Sequence, residues 1–497
     1  MLKRVFLAPD PGRTRLRFAA RAVLGIGLAV TGCGLAGHSL TGAVTGGLAA
    51  LLALFTVTDA TVRGQAVTTA LLPAVGLPVL AAAAALHEHP VARGLAFLAV
   101  VGAGVYARRW GPRGHSLGVF AFMTFFVAQF LRSGPEQLPE LYAAVVLSVL
   151  TASLVRFGLW CYERRTPPPA PAVPAGERGL ARATTRQAVQ ATAAAGFALV
   201  VGQLVSGDRW YWAVGATWWI FVNTTSRGET LLRGFRRILG TVLGIALGLV
   251  VAVPVAGSAV PTAVLVAVCV FGIFYSAAVS YTWMMLSVTL LAELLYGLLG
   301  LLDPALLAVR LAETGVGALG ALLAVVLVLP ITTHATTDAW IQRALRCVHD
   351  CTAEATARLA GASCDPAPRV AELELLLGRV RLSVAPLVHP FNPVRARKLR
   401  ARRVLALLDD CAREIRGLAA VAADPEASRD VRLAAACRRV QAAVEALTEG
   451  RADPVTAPAG RPQSAEPALA HLHGLEMALA ELAKPLRGPS GSPLVGA

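Results

Sequence analysis

Arg227, Glu229, Arg233, Arg236 and Arg237 open the stretch RGETLLRGFRRILGTVLGIALG, which then runs apolar and glycine-laced to Gly248. A guanidinium fork pairs with both oxygens of a carboxylate, so such a cluster suits an organic anion. On a helix turning about 100° per residue, Arg233, Arg236 and Arg237 fall within about 60° of Gly240. Gly240, Gly244 and Gly248 make the stripe of a double GxxxG, which lets a neighbouring backbone come close. The arginines therefore face the helix bundle. They read either as a cationic funnel at the inner mouth of a pathway or as topology anchors touching anionic headgroups.

Glu293, in LLAELLYGLL, is the one acid well inside an apolar span. Acids at such depth are costly and face a partner or water. Glu293 is a candidate proton carrier; its other reading is a structural partner of Arg310. Arg310 and Glu313 share a helix face one turn apart and are expected to form an ion pair near the outer surface. Trp210, Tyr211 and Trp212 read as an outer aromatic belt. Trp218 and Trp219 lie deeper, where one could stack on an aromatic ligand or pack in the core.

These residues need long apolar elements to hold them. The 497-residue chain is 56% hydrophobic and 15% charged, against about 25% charged in soluble domains. Apolar runs predict about twelve transmembrane helices, near 20–37, 40–58, 66–86, 91–107, 115–131, 140–160, 187–205, 210–224, 234–254, 259–278, 282–300 and 305–329. The expected fold is an all-α integral membrane protein of two parallel six-helix repeats plus a cytoplasmic helical domain. Its segments are 1–163, a proline-rich linker over 164–186, a second six-span half over 187–330, and a helical tail over 331–497. A shift of 164 residues brings Arg63-Gly64 onto Arg227-Gly228 and Gly76 onto Gly240. Six spans per half is an even number, so the halves share one orientation.

With the N-terminus inside, nearly all basic residues of the first 330 fall on the inner side, Arg156 at an inner helix end among them. Only Arg93, Arg132, Arg209 and Arg310 are left outside. That bias predicts cytoplasmic termini and a multi-pass protein of the cell membrane. The net charge of +16 follows from it, so nucleic acid is not an expected partner.

The eight cysteines lack CxxC spacing, and CVHDC (Cys347 to Cys351) reads as small apolar residues on a helix face rather than a metal site. The Walker A motif is absent, and neither an enzyme nor a cofactor is expected. RARKLRARR (Arg395 to Arg403) suits the anionic inner leaflet.

Between Arg209 and Gly248 the chain resembles the fusaric acid resistance, or aromatic acid exporter, family of membrane proteins. The matching features are Tyr211, Trp212 and Ala213, then Thr217, a polar turn, and the Arg-x-x-Gly-Thr-x-x-Gly of Arg237, Gly240, Thr241 and Gly244. The resemblance implies efflux of aromatic or other hydrophobic carboxylic acids. Arg227, Glu229, Arg233, Arg236, Arg237, Trp212 and Trp218 are then the candidate substrate contacts.

Plant malate channels are similar in layout, so an anion channel stays open, as does a membrane-anchored scaffold whose tail binds a partner. The expected partners are the lipid bilayer and a small organic anion. A homo-oligomer, a cytoplasmic partner and a periplasmic adaptor are all compatible with the chain. The first half departs from the pattern: QAVTTALLPAVGLPVL has no arginine, carries Pro73 and Pro78, and Asp59 stands where the second half has Asn223.

Overall fold

A computed structural model describes residues 13–160, 179, 182–222, 224, 227–329, 333–388, 395–423, 431–448 and 467–486. Most of the proline-rich linker, Asn223 and the HPFNP segment lie outside the described residues. By backbone contacts the chain divides into two compact units, one of residues 1–167, 174–224 and 230–330, the other of 168–173, 225–229 and 331–497.

The first unit contains twelve α-helices among its described residues. The first six are α1 (Thr14–Leu35), α2 (Leu40–Thr56), α3 (Val62–Ala85), α4 (Pro90–Ala107), α5 (Gly111–Phe130) and α6 (Leu138–Trp160). The second six are α7 (Ala183–Val205), α8 (Tyr211–Phe221), α9 (Arg227–Val255), α10 (Ala259–Ser276), α11 (Tyr281–Leu298) and α12 (Pro304–Leu327). Local chemistry sets their ends. The side chains of Ser39, Thr61 and Asp303 accept hydrogen bonds from the first turns of α2, α3 and α12. Pro73 and Pro78 lie inside α3, which stays one helix.

Length and hydropathy make nine helical stretches of the described residues able to cross a membrane, so the chain is a multi-pass membrane protein. The difference from twelve has physical causes. α4 and α5 run together over Pro90–Phe130, with only a 3₁₀ turn between them, and count as one stretch. α2 has 17 residues. α8 has 11, a rise of about 16 Å, which is half the hydrocarbon thickness. α8 is also buried on nearly every side, so it is a helix inside the bundle rather than a lipid-facing span.

Large apolar side chains such as Leu28, Leu95, Leu154, Leu204, Val250 and Val264 are exposed on the outside of the unit. In water this surface would drive aggregation; in a bilayer it faces its solvent.

The two sets of six helices pair alike. α1 packs on α2 and α6, and α7 packs on α8 and α12. α2 meets α6 as α8 meets α12, and α4 meets α5 as α10 meets α11. Between the sets, α1 packs on α10 and α4 on α7. With no water at depth, helix ends need internal partners. Arg156, on α6, donates to the carbonyls of Ala53 (2.6 Å), Leu54 (3.1 Å) and Val57 (3.0 Å) at the end of α2. Gln187 donates to Thr224 O beyond α8, and Gln190 to Val328 O and Leu329 O at the end of α12.

The second unit holds α13 (Thr333–Leu359), α14 (Ala367–Val388), α15 (Arg395–Ala422), α16 (Val431–Thr448) and α17 (Pro467–Leu486). Their inner faces share a core that includes Leu345, Val380, Val404, Leu408, Val440 and Leu472. Cys347 and Cys351 are buried in it, while His349 pairs outward with Asp350 at 3.3 Å. Among the described residues, no group of three or more His, Cys, Asp and Glu could hold a metal. Arg395 to Arg403 open α15, where Arg403 pairs with Glu481 at 2.5 Å.

Candidate functional site

The glycine stripe places α9 against α11. A Cβ on Gly240 would stand 2.6 Å from Thr282 O and 2.7 Å from Met285 Cβ, and one on Gly244 would stand 2.5 Å from Thr289 Cβ. One turn on, Gly248 lies directly against the carboxylate of Glu293. Only glycine leaves room for such an approach, and the stripe fixes which face of α9 looks inward.

The arginines follow that face. The Arg233 guanidinium sits 4.2 Å from the Tyr281 ring centroid, in cation–π geometry. Arg237 is buried; its Nη1 donates to Tyr281 Oη (3.4 Å) and reaches Met285 Sδ (3.1 Å), and its Nε has no hydrogen-bond partner. Tyr281 in turn donates to the carbonyl of Trp219. Arg236 is half-buried, and Arg227 and Glu229 occupy the first turn of α9. His115, on α5, lies within electrostatic reach of Arg233 and Arg108. Tyr281 and His115 escape a reading of the sequence, since a tyrosine or histidine at a helix start carries no signal of its own.

Trp212 and Glu293 stand apart from this cluster, towards the other end of α11. Glu293 is three turns along α11 from Tyr281, about 18 Å at 1.5 Å per residue. It is fully buried, and neither carboxylate oxygen has a hydrogen-bond partner. The expected Arg310–Glu313 ion pair is not formed. Arg310 instead lies 4.3 Å over the Trp212 ring with Nη1 unpartnered. Both Glu313 oxygens are also unpartnered, and Oε2 faces Gly202 on α7. Same-face spacing put the two side chains within reach, and the aromatic ring took the guanidinium. Arg310 feels Glu293 electrostatically, but the two make no ion pair within 4.0 Å.

The aromatic belt is replaced by an aromatic core. Trp210 and Tyr211 are 3% and 2% exposed, which no lipid-headgroup girdle would allow. Trp212 donates Nε1–H to Tyr296 Oη at 2.7 Å and meets Phe126 and Phe130 edge-on. Trp218 stacks on Phe122 at 4.3 Å and 5°, and its Nε1 is unpartnered. An amphipathic ring suits an interface and a core equally, so residue type alone could not separate the two.

The geometry thus has two parts on one helical frame. Guanidinium groups with aromatic support stand where α9 and α11 begin, and buried, unpartnered charges stand in the far half of α11 and α12. The first part can hold a carboxylate, and the second can hold or release a proton. Residues 197–324 match the family model described as fusaric acid resistance protein-like. No curated protein matches the chain. The matched segment contains the glycine stripe, Arg233, Arg236, Arg237, Glu293 and Arg310, so this multi-pass membrane protein carries in its second six helices the pattern of the fusaric acid resistance protein-like family.

Proposed function

We propose that the protein is a twelve-helix permease that exports organic, aromatic carboxylates across the cell membrane, with both termini in the cytoplasm. The observation that carries the reading is the guanidinium pair of Arg233 and Arg237, held against Tyr281 on the glycine-striped face of α9. A carboxylate entering there exchanges water for N–H donors, and Tyr281 offers ring surface to an aromatic body. The matching helix pairings of the two sets of six support a repeat about an axis along the membrane normal. The arginine distribution supports the inward termini.

Glu293 is the proton carrier in this reading. Its carboxylate lies against Gly248 of the arginine-bearing α9, so anion binding and proton exchange lie on one pair of helices.

Flux of radiolabelled benzoate in proteoliposomes tests the proposal. Arg237→Lys keeps the charge and loses the fork; it is expected to slow flux roughly 10-fold, and Arg237→Gln to slow it up to roughly 150-fold. Equal flux with Arg, Lys and Gln at 233, 236 and 237, singly and together, would leave the proposal without support.

A further inference from the structure

The positive-inside distribution leaves four arginines at the other end of the helices: Arg93 at the start of α4, Arg132 just past α5, Arg209 between α7 and α8, and Arg310 on α12. Such residues are disfavoured on an outer face. They are scattered from residue 93 to residue 310, yet the fold gathers them. Arg132 and Arg209 line a cleft of about 270 Å³ whose apolar walls are Phe130, Leu131, Leu299 and Leu301. Arg93 and Arg132 line a second cleft of about 170 Å³ together with Gln129, Asp208 and Tyr211. The two clefts share Arg132.

Three of these guanidinium groups rest on an aromatic ring: Arg93 on Trp210 (5.7 Å), Arg209 on Tyr296 (5.4 Å) and Arg310 on Trp212 (4.3 Å). Stacking occupies the face of the guanidinium; Arg93 Nη1 donates to His87 O and Arg209 Nη1 to Tyr211 Oη, and the remaining edge N–H donors suit a planar carboxylate. Gln129, 6% exposed, lines the second cleft with its Nε2 unpartnered. Arg132 has φ of +52° just past the end of α5, a place where glycine is usual, so an arginine side chain is kept there at a conformational cost. Its ion-pair partner among the described residues, Asp208 at 3.1 Å, is 76% exposed and easily displaced.

We propose that this arginine-lined pair of clefts is an outer binding site for an aromatic monocarboxylate. Arg132 and Arg209 take the carboxylate, and Phe130 with Leu299 and Leu301 takes the ring. A cavity of about 150 Å³ already holds benzene, so the larger cleft admits a ring bearing a carboxylate. Below it, Phe130 meets Tyr296 at 5.1 Å and Trp212 at 6.1 Å, and Trp212 carries Arg310. The site is therefore separated from the buried charged residues of α11 and α12 by a packed aromatic layer. Its use as an exit site rests on the permease reading; binding of the anion does not.

Leu301→Cys, labelled on whole cells by a membrane-impermeant maleimide, tests the site, with Thr41→Cys on the facing wall as a second reporter. Labelling is expected from outside and is slowed by benzoate but not by benzyl alcohol. The half-protecting benzoate concentration should rise roughly 10-fold with Arg132→Gln or Arg209→Gln. Asp208→Asn, which frees Arg132, should lower it. Labelling indifferent to benzoate, protection unchanged in both arginine variants, or labelling only from inside would overturn the site, even where benzoate flux through the protein is intact. Protection without flux would uphold the site and overturn the permease reading instead.

Discussion

α3 with α5 in the first six helices, and α9 with α11 in the second, each meet through glycine and do different work. Gly76 on α3 faces the Phe120 ring and the Thr124 methyl on α5. Gly240, Gly244 and Gly248 on α9 face Met285, Thr289 and then the Glu293 carboxylate on α11. α5 is buried almost throughout, and its rings stack: Phe97 on Phe125 at 4.7 Å, Trp218 on Phe122 at 4.3 Å. α11 instead carries Tyr281, Glu293 and Tyr296, and α9 carries the arginines. Thr69, Leu72 and Pro73 stand 164 positions before Arg233, Arg236 and Arg237, and Gln129 stands 164 before Glu293. A glycine-mediated helix pair thus backs an aromatic wall in the first half and a charged face in the second. Packing rules preserve a frame, whereas the side chains within it are free to diverge.

The largest contrast is expected from the glycines. Gly244→Leu drives a side chain into Thr289 and the Leu286 carbonyl, 3.1 Å from the added Cβ, and backbone cannot yield. Folded protein should fall to background in size-exclusion profiles of detergent extracts, a loss of at least about 3 kcal/mol. Gly76→Ala drives its Cβ into the buried Phe120 ring, a side chain that can shift where backbone cannot, and should cost about 1–3 kcal/mol. Equal losses at the two sites would erase the distinction between a close backbone approach and an aromatic wall.

Next comes Arg156. Replacing it by Gln strips the α2 carbonyls of their donors, and a drop of about 2–4 kcal/mol in thermal stability is expected. The relative flux of benzoate and other anions should not change. A selectivity change here would move chemistry into the half read as support.

A smaller stability effect, with a functional one attached, belongs to the Glu293 and Gln129 pair. Glu293→Gln removes the titration but keeps shape, so stability should move by less than about 1 kcal/mol. Concentrative benzoate export should be lost while benzoate exchange persists and no longer responds to pH. Gln129→Glu should not restore it, since Arg310 has no counterpart on α6, where Val146 stands 164 positions earlier. Export that survives in Glu293→Gln would leave the carboxylate a structural group.

The smallest effect is a control. Cys411 is fully buried in the α13–α17 core, and burial pushes its thiol up to about 12. An ordinary thiol is half-ionised near pH 8.5, whereas one at about 12 is ionised to about 0.03%, so Cys411 should resist alkylation through pH 9 in every membrane-unit variant. The thiolate appears only as pH rises towards 12 or as the core opens. Rapid alkylation in a variant would mean that its defect is not confined to the membrane unit.

The membrane character, the helix positions and the inward face of α9 were legible in the sequence because they depend on local quantities. Apolar run length, the charges that stop it, and glycines spaced by four all act within one helix. Arg233, Arg237 and the stripe are found where spacing puts them. Span counting was less legible, because a helix of 11 residues can be fully apolar by burial in protein rather than in lipid, as α8 is. Only the tertiary structure decided which side chains meet. It set Arg310 over Trp212 instead of beside Glu313, turned Trp210 and Tyr211 into core, and left Glu293 without a partner. It also drew Arg93, Arg132 and Arg209 around two clefts. Those outcomes rest on contacts between residues tens to hundreds of positions apart, where several partners compete for one group. Periodicity records which face a residue occupies, and only packing chooses the neighbour that fills it.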